Sequence, residues 1–319
     1  MKKVFILLPL IFMVFSCDEK SKVAKAVEEI PLEIQVERFD KLFFETPPAK
    51  LGELKVKYPY FFPGNDDGVW IEKMQHPQWR ELYQEVQKTF PDFEKETTQL
   101  EDLFKHVKYY YPKTPTPKVV TLISEMDYSN KVIYADSLLL VSLELYLGKD
   151  HRFYQFPEYL KQNFTKSQLL PDVATAVAEE KVKAPENNSL MALMVYFGKE
   201  LYLKSLFLPD ASEADLIGFT PEQIAWCKEN EGYIWRYFVE GELLYDTDPK
   251  LANRFINPAP FSKFYLEIDN ESPGRIGQWI GWQIVKSYMD NHSKTPLSQL
   301  LEMNSKTLFE ASRYKPKKD

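Results

Sequence analysis

Histidine is scarce in this chain. The four in 319 residues are His76, His106, His151 and His292, and no two stand four residues apart. The cysteines, Cys17 and Cys227, are equally far from any Cys-x-x-Cys arrangement. No local zinc motif of the H-E-x-x-H or paired-cysteine kind is therefore present. There is no G-x-S-x-G nucleophile elbow, and no glycine-rich loop ends in GKS or GKT. Basic charge is in deficit, with 40 Lys and Arg against 47 Asp and Glu and a formal net charge of −7. Phosphate-backbone binding needs the opposite sign, so a nucleic-acid partner is excluded. Beyond residue 17 no apolar run approaches the roughly 20 residues of a membrane span. Internal repeats and low-complexity tracts are missing too. The Asp66–Asp67 pair is too isolated to serve as an acid–base couple.

What the chain does have begins at residue 1. Lys2 and Lys3 precede an apolar run from Val4 to Phe15, interrupted by Pro9, and then Val14-Phe15-Ser16-Cys17. This is the pattern of a secretory signal, residues 1–16, whose cleavage site ends in cysteine. A small residue followed by Cys forms a lipobox. The expectation is that Cys17 takes a diacylglyceryl group and becomes the mature N-terminus. Each buried methylene contributes about 0.8 kcal/mol, so two or three acyl chains give a firm anchor. Loss of Lys2 and Lys3 makes the mature body more acidic still. Cys227 then has no internal disulfide partner and reads as a buried structural thiol.

Residues 17–29 are charged, Ala-rich and without apolar period, and read as a lipidated tether. The whole chain is 44% hydrophobic and 15% aromatic, enough for the remainder, 30–319, to form a single globular domain. Alternation predicts a strand over Leu32–Val36. Helices are expected over Gln78–Phe90 and Glu94–Tyr109, broken at Pro91. Further strands are expected at Val119–Ile123, Val132–Tyr134 and Leu138–Leu143, with a turn at Ala135-Asp136-Ser137. From residue 146 on the chain reads as helices. Thr220-Pro221-Glu222-Gln223 carries a capping box with Pro at the first helical position, opening a helix that runs toward Glu240. The expected fold class is α+β and predominantly helical. A small sheet of three or four strands in 30–145 packs against a helical part, 146–319.

Four segments could carry function. The helix over Asn188–Phe207 is apolar on nearly every side, yet holds Lys199, Glu200 and Lys204. Ionised groups in a buried helix are costly unless paired. They are either an i,i+4 pair of Glu200 with Lys204 at a partly exposed edge, or the remains of an active site. On the next segment Glu231 shares a face with Ile224, Cys227, Ile234 and Phe238, either at a solvated edge or bonded to a cation such as Arg236. The third is Ser272-Pro273-Gly274-Arg275-Ile276-Gly277-Gln278-Trp279-Ile280-Gly281. Gly277 and Gly281 lie one turn apart, where another backbone can approach, since mid-helix glycine costs about 1 kcal/mol against alanine without a packing reason. Ser272 reads as the N-cap and Pro273 as the first helical residue. Arg275, in a first turn that disfavours cations, is expected to pair with a carboxylate. The fourth is the aromatic loop at Tyr58–Phe62, expected to be exposed. Aromatic content alone would also suit a sugar-binding module, although aromatics at helical spacing are more often core.

Several segments together resemble the GldB family of gliding-motility lipoproteins of Bacteroidetes. They are the lipobox, LYLGKDHRFY at Leu145–Tyr154, GFTPEQIAWCKENE at Gly218–Glu231, SPGRIGQWIGWQIVKSYM at Ser272–Met289, and Tyr314-Lys315-Pro316. The resemblance implies a lipid-anchored envelope protein, its body facing the periplasm, needed for gliding. It also implies contacts with envelope proteins of the gliding and type IX secretion machinery, and it implies no cofactor. A weaker likeness is to zincin-like metallopeptidases. Lys199 and Leu203 would stand at the two histidine ligand positions, Glu200 at the general-base position and Glu231 at the third ligand. Such a site would be degenerate, with Lys199 in the metal's place neutralising Glu200 or Glu231, and the protein not an enzyme. The alternative is an active metal-dependent hydrolase using Glu200 and Glu231.

Overall fold

The computed structural model describes residues 15–267 and 269–316, with side chains from Lys22 onward. The expectations for residues 1–14 and for the thiol of Cys17 lie outside this range. A four-stranded sheet is formed by β1 (Val36–Arg38), β2 (Lys118–Leu122), β3 (Val132–Ala135) and β4 (Leu138–Ser142), in the order β1-β2-β4-β3. β2 runs parallel to both neighbours, with Val119 facing Val36 on one side and Leu139 on the other. β3 is antiparallel to β4. Their tight turn passes through Asp136 at φ 52°, a left-handed conformation that Asp tolerates better than most residues. Everything else among the described residues is helix and loop, so the fold is α+β and predominantly helical.

The first strand starts where the expected one ends. Ile34 is buried, but its amide is satisfied by Glu101 Oε1 at 3.0 Å rather than by a neighbouring strand. The alternation over 32–36 thus reports burial against the helix Glu94–Tyr110, and ladder pairing begins only at Val36. Residues 17–29 also differ from expectation. A helix covers Phe15–Glu28, and its end packs on Glu94–Tyr110 through the buried Val27. Val23 and Ala26 are partly buried beside it, so a segment whose composition reads as a linker has an apolar side that packs.

Two hydrophobic cores meet on one element, the central helix Leu190–Phe207. Its C-terminal half, through Leu203 and Phe207, joins a core built from the sheet, Glu94–Tyr110 and the helix Leu169–Lys181. Its N-terminal half, through Leu190, Met191 and Met194, joins a second core with the helices after residue 212. Against the central helix lies the glycine helix, Ile276–Asn291. A Cβ on Gly198 would run into the carbonyl of Gly281, and a Cβ on Gly281 into the carbonyl of Met194. A Cβ on Gly277 would stand 2.9 Å from Phe255 O. The two backbones touch, which is possible only where side chains are absent.

The glycine helix does not start as expected. Arg275, at φ 61°, is its N-cap and Ile276 its first residue. Ser272 turns into the preceding loop, donating to Asp269 O at 2.7 Å and accepting from Ser262 N at 3.1 Å. The capping hydroxyl comes instead from Ser262, which accepts from Ile276 N at 3.2 Å and donates to Pro273 O at 2.8 Å. Gly274 lies against Ala259 O, where a side chain has no room. Steric closeness at Gly274 displaces the helix start past Pro273. The capping box at Thr220 forms with both bonds, Gln223 N to Thr220 Oγ1 at 3.2 Å and Thr220 N to Gln223 Oε1 at 2.9 Å. That helix ends at Glu229, and a second, Glu231–Glu240, follows a break at Asn230.

Replacing a mid-helix glycine by alanine ordinarily gains up to about 1 kcal/mol. At the crossing the sign reverses: Gly281→Ala or Gly198→Ala is expected to cost about 1–3 kcal/mol through overpacking. Gly52→Ala, on the helix Leu51–Lys57 with open space around its Cα, is expected to be neutral or stabilising. Urea unfolding of the three variants checks this. A Gly281→Ala protein as stable as the parent removes the close approach from the account.

Candidate functional site

The charged residues of the central helix go to separate partners. Lys199 Nζ donates to Leu301 O at 2.8 Å and Met303 O at 2.6 Å, tying down the C-terminal end of the helix Leu297–Glu302. Burial pushes this ammonium down to about 8. It is therefore a helix-end clamp and does not neutralise Glu200 or Glu231, as its expected place at a vacated metal position would require. Leu203 is fully buried in the first core. Glu231 is buried and accepts from Tyr314 Oη at 2.8 Å, which fastens the chain's C-terminal stretch to the helix Glu231–Glu240. Tyr314 is thus a partner of this carboxylate that its place on the helix face did not suggest. Among the described residues no group of three or more His, Cys, Asp or Glu side chains is arranged to hold a metal ion.

Glu200 is 4% exposed, so it does not lie at a helix edge, and it meets Lys204 through a longer-range attraction between their charges. Its Oε1 has no hydrogen-bond partner. Burial raises its carboxyl to about 7, Tyr196 one turn earlier opposing this by stabilising the charge. Cys227 is fully buried, and burial pushes its thiol well up, the condition of an inert thiol. The aromatic loop is less exposed than expected. Tyr58 and Phe62 are buried against Phe39, and of the loop's four rings Tyr60 alone, 93% exposed, stands in solvent.

Polar groups do converge at one place, where the two cores meet at the start of the glycine helix. A cavity of about 340 Å³ opens there beside Arg275. Its floor includes Asp172, from the helix Leu169–Lys181, and Lys131, from the loop before β3. Gln162, Asn163 and Gln223 supply amides, and Tyr128, Tyr159, Phe164 and Phe219 supply rings. The small cluster of Leu145, Tyr154 and Phe164 backs one wall.

The charges around the cavity are unequally matched. Lys131 and Asp172 form an ion pair at 2.5 Å, and Tyr146 Oη donates to the same carboxylate at 2.9 Å. Arg275 has no such partner. Its guanidinium is enclosed by protein but open to the cavity, and among the described residues no carboxylate lies within ion-pair distance. Its one hydrogen bond runs from Nη2 to Gly218 O at 3.2 Å, and Phe219 lies under it at 5.3 Å. Burial lowers the guanidinium to about 10, with Asp172 pulling the other way. The carboxylate pairing expected of Arg275 is thus replaced by a carbonyl and a ring. Lys204 is buried nearby. Desolvation lowers it to about 8; Asp172 and Glu200 favour its charge, while Arg275 and Lys131 oppose it. The site therefore holds more positive than negative charge in a partly enclosed space.

Sequence reasoning singled out Arg275 by its unfavourable place at a helix start. It passed over Lys131, Asp172, Gln162 and Asn163, which lie on loops and helices far apart in the chain and carry no local motif. Gln162 Nε2 and Asn163 Nδ2 both donate to Gly218 O, at 3.1 and 3.0 Å, the same carbonyl that holds Arg275. A family model described as gliding motility protein GldB matches residues 20–316. No curated protein and no solved structure matches the chain.

Behind the cavity wall sits Glu144, fully buried, with Ser124 Oγ donating to Oε1 at 2.5 Å and Oε2 unpartnered. Burial raises its carboxyl from 4.5 to about 7. The folded state thus holds a proton that the unfolded chain releases. The stability this gives is complete below pH 4.5 and lost as pH rises to about 7. Glu144→Gln keeps the shape without the charge. Relative to it, the parent is expected to lose on the order of 2–3 kcal/mol between pH 4.5 and 7.5. Melting temperatures of both proteins across that interval check it. Parallel pH profiles would show that Glu144 ionises freely.

Proposed function

Because the chain belongs to the gliding motility protein GldB family, matched over residues 20–316, we propose that it is a lipid-anchored protein of the cell envelope. On this reading it supports the gliding and type IX secretion machinery through protein contacts, without catalysis. The family match carries it. The lipobox at Val14–Cys17 supplies the anchor, and no helix among the described residues is long and apolar enough to cross a membrane. The body faces the periplasm, held to the bilayer by acyl chains at Cys17.

The non-catalytic part draws on how the candidate groups are used. Lys199 clamps a helix end, Glu231 accepts from Tyr314, and Cys227 is buried beyond reach. Each is occupied by a structural task. One observation favours the alternative, a metal-dependent hydrolase with Glu200 as base and Glu231 as ligand. It is that Glu200 is raised to about 7 with an unpartnered oxygen, the range suited to a general base.

Complementation of a strain lacking the gene separates these readings. The parent and Glu200→Gln are expected to restore spreading on surfaces. Cys17→Ser is expected to leave the membrane fraction and fail to restore it. A Cys17→Ser protein that fractionates with membranes and supports crawling overturns the anchor. A Glu200→Gln protein present in normal amount, with normal melting temperature but without function, overturns the non-catalytic reading.

A further inference from the structure

We propose that the cavity beside Arg275 binds the carboxyl end of a peptide chain, with the carboxylate on the Arg275 guanidinium. The inference stands on the cavity alone and does not depend on the gliding role.

The first observation is the charge imbalance. Asp172 is taken by Lys131 at 2.5 Å and by Tyr146 at 2.9 Å. Arg275 keeps a single bond, to Gly218 O, leaving most of its five N–H donors facing open space. An enclosed cation without a counter-charge is costly, and an anion entering the cavity relieves that cost. The second is placement. Arg275 stands at φ 61°, a backbone conformation that costs a non-glycine residue on the order of 1 kcal/mol or more and that clusters at ligand clamps. Gly274 against Ala259 O and the Ser262 hydroxyl on Ile276 N hold it there. The side chain so held lines the cavity.

The remaining walls decide which anion fits. Lys131 is already neutralised by Asp172, and Lys204 lies behind the lining with Asp172 and Glu200 favouring its charge, so the unmatched charge on the cavity wall is that of Arg275 alone. This suits a monoanion better than a phosphate dianion. A guanidinium fork matches a planar carboxylate with two parallel bonds. Gln162 and Asn163 commit their N–H groups to Gly218 O, which leaves their side-chain oxygens as acceptors for an amide N–H. Tyr128, Tyr159 and Phe219 line the rest with rings. Carboxylate, neighbouring amide and apolar side chain are the features of a terminal peptide residue. A cavity of about 340 Å³ lies at the small end of the range for small-ligand sites, in keeping with one or two residues.

Titration calorimetry on the full chain in mild detergent tests this with three probes: N-acetyl-phenylalanyl-leucine, its C-terminal amide, and inorganic phosphate. The acid is expected to bind and the amide to bind at least 10-fold more weakly. Phosphate at equal concentration is expected not to displace the acid. Because this comparison uses the parent protein, it does not depend on a variant folding. Arg275→Lys, which keeps the charge but loses the fork, is expected to weaken the acid about 10-fold, and Lys204→Met to weaken it less. Equal binding of acid and amide, preference for phosphate, or no heat with the acid at millimolar concentration each overturns the proposal.

Discussion

The contact on which the rest of the molecule depends is the crossing of the central and glycine helices at Gly198 and Gly281. Both helices are buried over most of their length, the glycine helix turning a polar stripe of Gln283, Lys286, Ser287 and Asp290 outward only in its second half. Buried helices of this kind gain from dispersion only when they approach closely. Here the approach is limited by backbone, not by side chains, and the Met194 and Gly281 carbonyls occupy the space that a Cβ would need. The central helix serves both hydrophobic cores. The crossing therefore fixes the two halves of the molecule against each other as well as two helices.

The same contact positions the charged groups. With the glycine helix seated on the central helix, its first turn falls where Gly218, Phe219 and the loop around Asn163 come together. Arg275 is held there by a non-local cap, Ser262, and by a turn that only Gly274 can make against Ala259. Buried charges along the central helix are settled one by one. Lys199 bonds two carbonyls, Lys204 lies among Asp172, Glu200 and the cations, and Glu200 is held close to neutrality by burial. At the cavity, Lys131 is paired with Asp172, whereas Arg275 has no carboxylate at bonding distance among the described residues. The asymmetry distinguishes this cavity from the ordinary irregularities of a protein surface.

Much of this was legible in the sequence, and the limits have physical causes. Helix starts with purely local chemistry could be read: Thr220 and Gln223 form their box because both partners lie within four residues. Strands rich in β-branched residues, such as Val119-Val120-Thr121, were visible for the same reason. The spacing of Gly277 and Gly281 signals that a backbone passes close by, but nothing local names Gly198 as the opposite side. Ser272 looked like a cap because it precedes Pro273. The hydroxyl that performs the task belongs to Ser262, ten residues earlier and brought near by tertiary packing. Alternation at Leu32–Val36 reports burial, which a strand and a packed extended segment share. The cavity was illegible beyond Arg275. Its other walls come from loops whose residues acquire a common role only when the two cores close on the central helix.

The claim that most needs a direct test is that the helix crossing presents an unpaired guanidinium to an enclosed space. An experimental structure of the full chain, crystallised with N-acetyl-phenylalanyl-leucine, addresses it in one measurement. The account requires backbone contact between Gly198 and Gly281, and ligand density with both carboxylate oxygens on the fork of Arg275. Backbones at the crossing held apart by intervening side chains, or Arg275 swung onto Asp172 with the cavity empty, would contradict it.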